Sequence, residues 1–252
     1  MKHLLSLVAL ICIIAAPMAA NATLVDFSTL AAPPGGNLGV PTTTDNQIVI
    51  DAFSVSGSAF TQTNTTLFIR NDGPNDNGIG VCGPSQQSSP DCAAVGTFGG
   101  GGGDTNEIDN AVVTELVRLT LPANSTWLSV VISSLDCNGT TNCSNPESGQ
   151  LWYANTDSLG TTNDLSTFAT KFTDYVATSD ATAFLSINLT GAAASAKYLY
   201  FVPVGGSDND HLVWQASYDQ INRETSVPAP AGLLLLGSGL VAIVTRRRLV
   251  RS

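Results

Sequence analysis

The chain has 252 residues, 20 acidic and 10 basic, and only 12% of them are charged. At 43% hydrophobic it carries ample apolar material for a core, which excludes wholesale disorder. All 20 acids lie between Asp26 and Glu224, where only five bases accompany them. That stretch carries −15 and excludes nucleic acid as a partner, because a phosphate binder needs basic surface to replace counterions.

Met1 to Ala22 is expected to be a secretory signal peptide. Lys2 gives a positive start, Leu4 to Ala16 forms an apolar run, and Ala20 and Ala22 make a small-residue cleavage site before Thr23. The run of 13 residues is short for a bilayer core of roughly 30 Å, which favours removal over anchoring.

From Thr23 to Ser226 there is no heptad and no long amphipathic helix. Short β-rich runs alternate with Gly, Asn, Asp, Ser and Thr turns. Strands are expected at Ile48–Val55, Thr66–Arg70, Thr114–Leu121, Trp127–Ser133, Gln150–Tyr153, Lys171–Ala177, Ala183–Leu189, Lys197–Val204 and His211–Tyr218. Lys197–Val204 is almost continuously apolar, which suits a central strand ending at Pro203. Strands of this length and spacing predict one all-β domain over 23–226, an antiparallel β-sandwich of jelly-roll type. The stretch from Asn71 to Asn110 holds five consecutive glycines, Gly99 to Gly103, and is expected to be a flexible surface loop.

Loss of the signal peptide removes Cys12 and leaves Cys82, Cys92, Cys137 and Cys143. An even number in an exported chain predicts disulfides, and the spacing favours two local bridges, Cys82–Cys92 and Cys137–Cys143. Zinc is the rival reading, but these gaps do not fit its usual C-x₂₋₄-C ligand spacing. Oxygen donors cluster at Asp72, Asn75, Asp76 and Asn77, at Asp104, Glu107 and Asp109, and at Asp208 and Asp210. Such groups can hold Ca²⁺, and a structural calcium ion is best placed on Asp104, Glu107 and Asp109. The alternative is that Asn, Asp and Gly are there because turns are built from them.

Trp152 and Tyr153 are the candidate ligand-binding aromatics. Neighbours on a strand point to opposite faces, so one of the pair should reach the surface, where an aromatic ring can stack on a sugar. Catalytic signals are poor. There is no G-x-S-x-G elbow, and pairs drawn from Glu107, Asp109, Glu115 and Glu147 are unremarkable among 20 acids. His211, at a strand edge beside Asp208-Asn-Asp210, is expected to be solvated.

The last 26 residues, 227–252, form a tripartite tail. Val227-Pro228-Ala229-Pro230-Ala231 precedes a Leu- and Gly-rich run, and Arg246, Arg247 and Arg248 follow, with Arg251 closing a basic cluster over 246–251. The prolines break preceding structure, the run at 231–245 suits a short transmembrane helix, and the arginines stay on the cytoplasmic side. A plain membrane anchor would need the same parts.

This tail resembles the PEP-CTERM sorting signal of Gram-negative, mostly environmental and biofilm-forming bacteria. Val227, Pro228, Pro230 and Ala231 match the motif, and Ala229 stands where the family has Glu. The resemblance implies an exosortase-type membrane transpeptidase as partner, transient membrane attachment through the helix, and delivery to the cell surface or exopolysaccharide matrix. Asn77-Gly-Ile-Gly-Val81, then Asn106-Glu-Ile-Asp-Asn110, then Glu115-Leu116 is similar to a recurrent ectodomain type among such proteins. That similarity implies a β-sandwich and no particular activity. The sequence therefore reads as an exported, non-enzymatic structural or adhesive protein of the envelope or biofilm matrix. The alternatives are a carbohydrate-binding module with the same address and a weak extracellular hydrolase.

Overall fold

Fourteen strands account for most of the described chain. In chain order they are β1 (Ala22–Asp26), β2 (Gly35–Asn37), β3 (Thr42–Asp45), β4 (Ile48–Ser56), β5 (Ala59–Thr61), β6 (Thr66–Asn71) and β7 (Asn77–Cys82). There follow β8 (Glu115–Thr120), β9 (Ser125–Ser133), β10 (Ser148–Ala154), β11 (Thr170–Val176), β12 (Phe184–Asn188), β13 (Tyr198–Pro203) and β14 (Leu212–Gln220). This computed structural model describes residues 22–31, 35–72, 76–89, 92, 95–96, 107–110, 113–137, 143, 146–178, 184–205 and 209–221. Residues 1–21 and the whole tail 227–252, with its motif, apolar run and arginines, lie outside the described residues. Among the described residues no helix is long and apolar enough to cross a membrane.

The strands make two antiparallel sheets. One runs β12-β9-β14-β7-β6-β2 with β1 added alongside β14; the other runs β11-β10-β13-β8-β4-β3 with β5 added alongside β4. Each expected strand falls on an observed one. The sequence reading missed β1, β2, β3, β5 and β7. The β3–β4 turn is built by Asn46 and Gln47, both at positive φ (43° and 69°), which matches the right-handed twist of a two-residue hairpin.

Period-2 alternation sends one side of each sheet into a shared core. Ile48, Ile50, Val117, Leu119, Leu151, Leu199 and Phe201 from one sheet meet Leu67, Ile69, Ile79, Trp127, Val130, Ile132 and Val213 from the other. The second sheet is also covered on its outer side. Phe53, Leu116, Tyr200 and Val202 point outward and pack under Phe60, Leu159 and Leu165, the last two from the segment joining β10 to β11. This explains the unbroken apolar run of β13, which is buried on both faces between β10 and β8. Arg118 borders this outer layer. Its guanidinium bonds Asp51 and Asp157 and lies 5.0 Å from the Phe53 ring centre and 5.2 Å from that of Tyr198.

Both expected disulfides are present. Cys82–Cys92 and Cys137–Cys143 join Cα atoms 5.8 and 4.6 Å apart. Cys82 and Cys92 pack with Phe68, and Asn37 Nδ2 donates to the Cys92 carbonyl at 2.7 Å. The expectation of a loop throughout 71–110 is corrected. β7 is buried at all six positions, and Glu107, Ile108 and Asp109 are buried as well. The sequence hides this strand because its alternate residues are Gly78 and Gly80 rather than polar surface residues. The backbone of β14 approaches too closely for a side chain: a Cβ on Gly78 would stand 2.5 Å from the Val213 carbonyl oxygen. The five glycines at 99–103 lie outside the described residues.

Candidate functional site

Among the described residues, chemically active side chains gather at a buried acidic end of the sandwich and in a cleft over the outer side of the second sheet.

At the acidic end, backbone hydrogen bonds draw four segments together. Glu107 O accepts from Val81, Ile108 N donates to His211 O, and Glu147 N donates to Asp136 O. This places Glu107, Asp136, Glu147 and Asp210 near one another. Arg70, on β6, forms an ion pair with Glu107, and both are buried. The Ser134 hydroxyl lies 2.8 Å from Glu107 Oε1 and 3.1 Å from Asp76 Oδ1, so it donates to one of them at a time.

Burial pushes the Glu147 carboxyl up to about 8, with the Glu107 and Asp136 charges adding to the effect. Hydrogen bonds from the Asp136 N–H and with the Asp210 side chain pull the other way. Raised to about 8, the Glu147 carboxyl keeps its proton at neutral pH.

Glu107 and Asp109 serve different partner sets on either side of Ile108. Asp109 Oδ2 accepts from Gln86 Nε2, its N–H donates to Glu115 Oε2 at 3.2 Å, and its carbonyl accepts from Glu115 N at 2.9 Å. Burial, then the Asp109 charge, raises the Glu115 carboxyl well above the carboxylate range. Asp104, the third expected calcium ligand, lies outside the described residues, as do Asn75 and Asp208. Among the described residues, no group of three His, Cys, Asp or Glu is arranged to hold a metal ion. Arg70 is paired with the Glu107 carboxylate, and Glu147 keeps its proton at neutral pH.

This has a measurable consequence. In the unfolded chain Glu147 ionises near its ordinary value of 4.5, whereas the folded protein keeps the proton to about 8. Between those values the folded state binds more protons, so stability falls as pH rises through this window and levels off above it. The expected loss from pH 5 to pH 8.5 is about 2 kcal/mol, after allowing for solvent screening, or roughly 4–8 °C in Tm. Glu147→Gln, which keeps the shape without the proton, should flatten part of that slope in a thermal-melt series. An unchanged slope would show that Glu147 does not hold the proton.

His211 corrects its expectation outright. It is fully buried rather than solvated, with Nε2 2.7 Å from Tyr175 Oη and the two rings edge-to-face at 5.2 Å. Burial lowers it to about 3, so it is a neutral core imidazole. The acids Glu107, Asp109, Glu115 and Glu147 are likewise buried.

Trp152 and Tyr153 divide as strand geometry requires. Tyr153 packs against the inter-sheet core, while Trp152 lies on the outer side of the sheet, partly covered. There Trp152 lines a cleft of about 210 Å³. The sequence reading singled out Trp152 but missed Gln150, Asn163 and Asp164, which line the same cleft. Gln150 could have been found, being two residues before Trp152 on the same strand face. Asn163 and Asp164 could not, because only tertiary folding brings their loop over the sheet. Arg70 did leave a signal: a lone arginine closing the apolar run Thr66-Leu-Phe-Ile implies a buried partner.

The sequence matches no family model and no curated protein. Among solved structures it is similar to the K1 cleaved adhesin domain of Lys-gingipain from Porphyromonas gingivalis W83. The two are 14% identical with a TM-score of 0.29, over 79% of this chain and 95% of that one. A likeness at that score informs neither the fold nor the function of this chain.

Proposed function

We propose that the chain is an exported protein sorted through its PEP-CTERM-like tail to the cell surface or exopolysaccharide matrix of a Gram-negative bacterium. Its domain over 23–226 is then a jelly-roll-like scaffold with a structural or adhesive role and no enzymatic activity. The carrying observation is the tripartite sequence of the tail: Val227-Pro-Ala-Pro-Ala231, the apolar run, then Arg246, Arg247 and Arg248. Two disulfides in an all-β frame support export, since such bonds persist in oxidising compartments. Strands that pass repeatedly between the two sheets from β8 to β14 support the jelly-roll reading. Burial of His211 and of the four candidate acids supports a non-enzymatic role.

The test follows the tail. Mass spectrometry of the mature protein from its native host is expected to find residues 246–252 removed. Replacing Arg246, Arg247 and Arg248 with alanine should leave the protein unsorted and retained in the inner membrane. An intact C-terminus on surface-exposed protein would overturn processing and leave a simple anchor.

A further inference from the structure

The outer cleft has a composition that the scaffold reading does not require. It lies between the outer side of the second sheet, which contributes Gln150 and Trp152, and the segment carrying Asn163 and Asp164, with Thr114 and Phe60 on its walls. Its floor is set by β10 and β13, paired with Gln150 opposite Val202 and Trp152 opposite Tyr200. We propose that this cleft is a binding subsite for one uncharged pyranose ring of a polysaccharide.

Three features support this. First, the indole is held in place. Trp152 Nε1 donates to Gln150 Oε1 at 3.0 Å, and Gln150 Nε2 donates in turn to Asp174 Oδ1 at 2.8 Å. A fixed aromatic ring offers an apolar surface to the C–H side of a sugar at little entropic cost.

Second, uncommitted polar groups stand beside that ring. The Asn163 amide and the Thr114 hydroxyl make no side-chain hydrogen bond among the described residues. Asp164 uses Oδ1 to accept from the Ser166 N–H and hydroxyl at 2.9 and 2.6 Å, and its second oxygen has no such engagement. Donors and acceptors at the rim of an aromatic platform match the alternating hydroxyls of a sugar.

Third, charge and size restrict the occupant. Among the described residues the cleft wall includes a carboxylate and no cation, and the nearby Lys171 is tied to Asp174 through bonds of 3.0 Å. A uronate would meet repulsion there, whereas a neutral sugar would not. A volume of about 210 Å³ is below the roughly 300–1,000 Å³ of a drug-sized site and suits a single ring.

The matrix reading supplies only the setting in which such a sugar would be met. Binding is read on purified protein, so it can fail while sorting holds, and the reverse. The full chain in mild detergent would be titrated calorimetrically with cellohexaose, chitohexaose, mannohexaose and hexagalacturonate. At least one neutral hexasaccharide is expected to bind, with hexagalacturonate at least tenfold weaker. Trp152→Ala should weaken binding at least tenfold. Asn163→Ala, at an exposed position, should weaken it several-fold without moving Tm. Should Trp152→Ala fail to fold, Asn163→Ala and Thr114→Val decide. The proposal is overturned if no neutral hexasaccharide binds at millimolar concentration, if the folded variants bind as the parent does, or if the uronate binds best.

Discussion

Arg70→Met should destabilise the protein by about 3–5 kcal/mol, the scale expected when one partner of a buried ion pair is removed and the other stays behind. Arg70 stands on β6 between two glycines, paired with Gly35 on one side and Gly78 on the other. Its guanidinium is the countercharge for Glu107 in a region that also holds Asp76, Asp136, Glu147 and Asp210. Methionine fills similar space and leaves the acids without that cation. Denaturant melts should show the fall in midpoint, and Arg70→Met combined with Glu107→Gln should recover much of it. If the double variant is no more stable than the single one, the arginine acts through packing rather than charge.

Gly78→Ala should be comparably damaging, at about 3 kcal/mol or more. Gly78 has φ of +138°, a conformation open to glycine and strained for other residues. The added Cβ would also meet the Val213 carbonyl oxygen at 2.5 Å and the Trp214 Cα at 2.8 Å. Those atoms belong to β14, which is fixed by its own pairing and cannot retreat. Gly57→Ala provides the comparison: it too has positive φ, +65°, but nothing lies within 4 Å of its would-be Cβ. The difference in stability between the two variants isolates the close approach of β7 to β14. Equal losses would mean that backbone strain alone is being measured.

The long apolar or alternating runs were legible in the sequence because burial writes itself into them. The runs Ile48–Val55, Thr114–Leu121 and Lys197–Val204 fall on β4, β8 and β13, each within a residue at either end. The disulfides were legible too, since short gaps in loop-rich sequence leave few sensible pairings. β7 was not legible, because what buries it is backbone proximity at Gly78, and glycine usually signals a turn. The roles of Glu107 and Asp109 were hidden for another reason. Spacing shows that acids are near in sequence, yet Arg70, Ser134 and Gln86 divide them in space. Of the cleft, Trp152 was read from the sequence, and Gln150 was within reach because it shares the strand face. The rest depends on how the segment after β10 folds back.

The position of β14 has a mechanical consequence. It is the last strand among the described residues, and it is held along both edges, by β9 on one side and by β1 and β7 on the other. A pull applied through the chain beyond Gln220 therefore cannot unzip an edge strand one bond at a time. A pull along the strand axis shears β14 against both sets of neighbours at once. β1 is gripped along a single edge, so tension from the amino end would peel it away at much lower force. If the protein bears load while tethered, it is built to bear it from its carboxyl side.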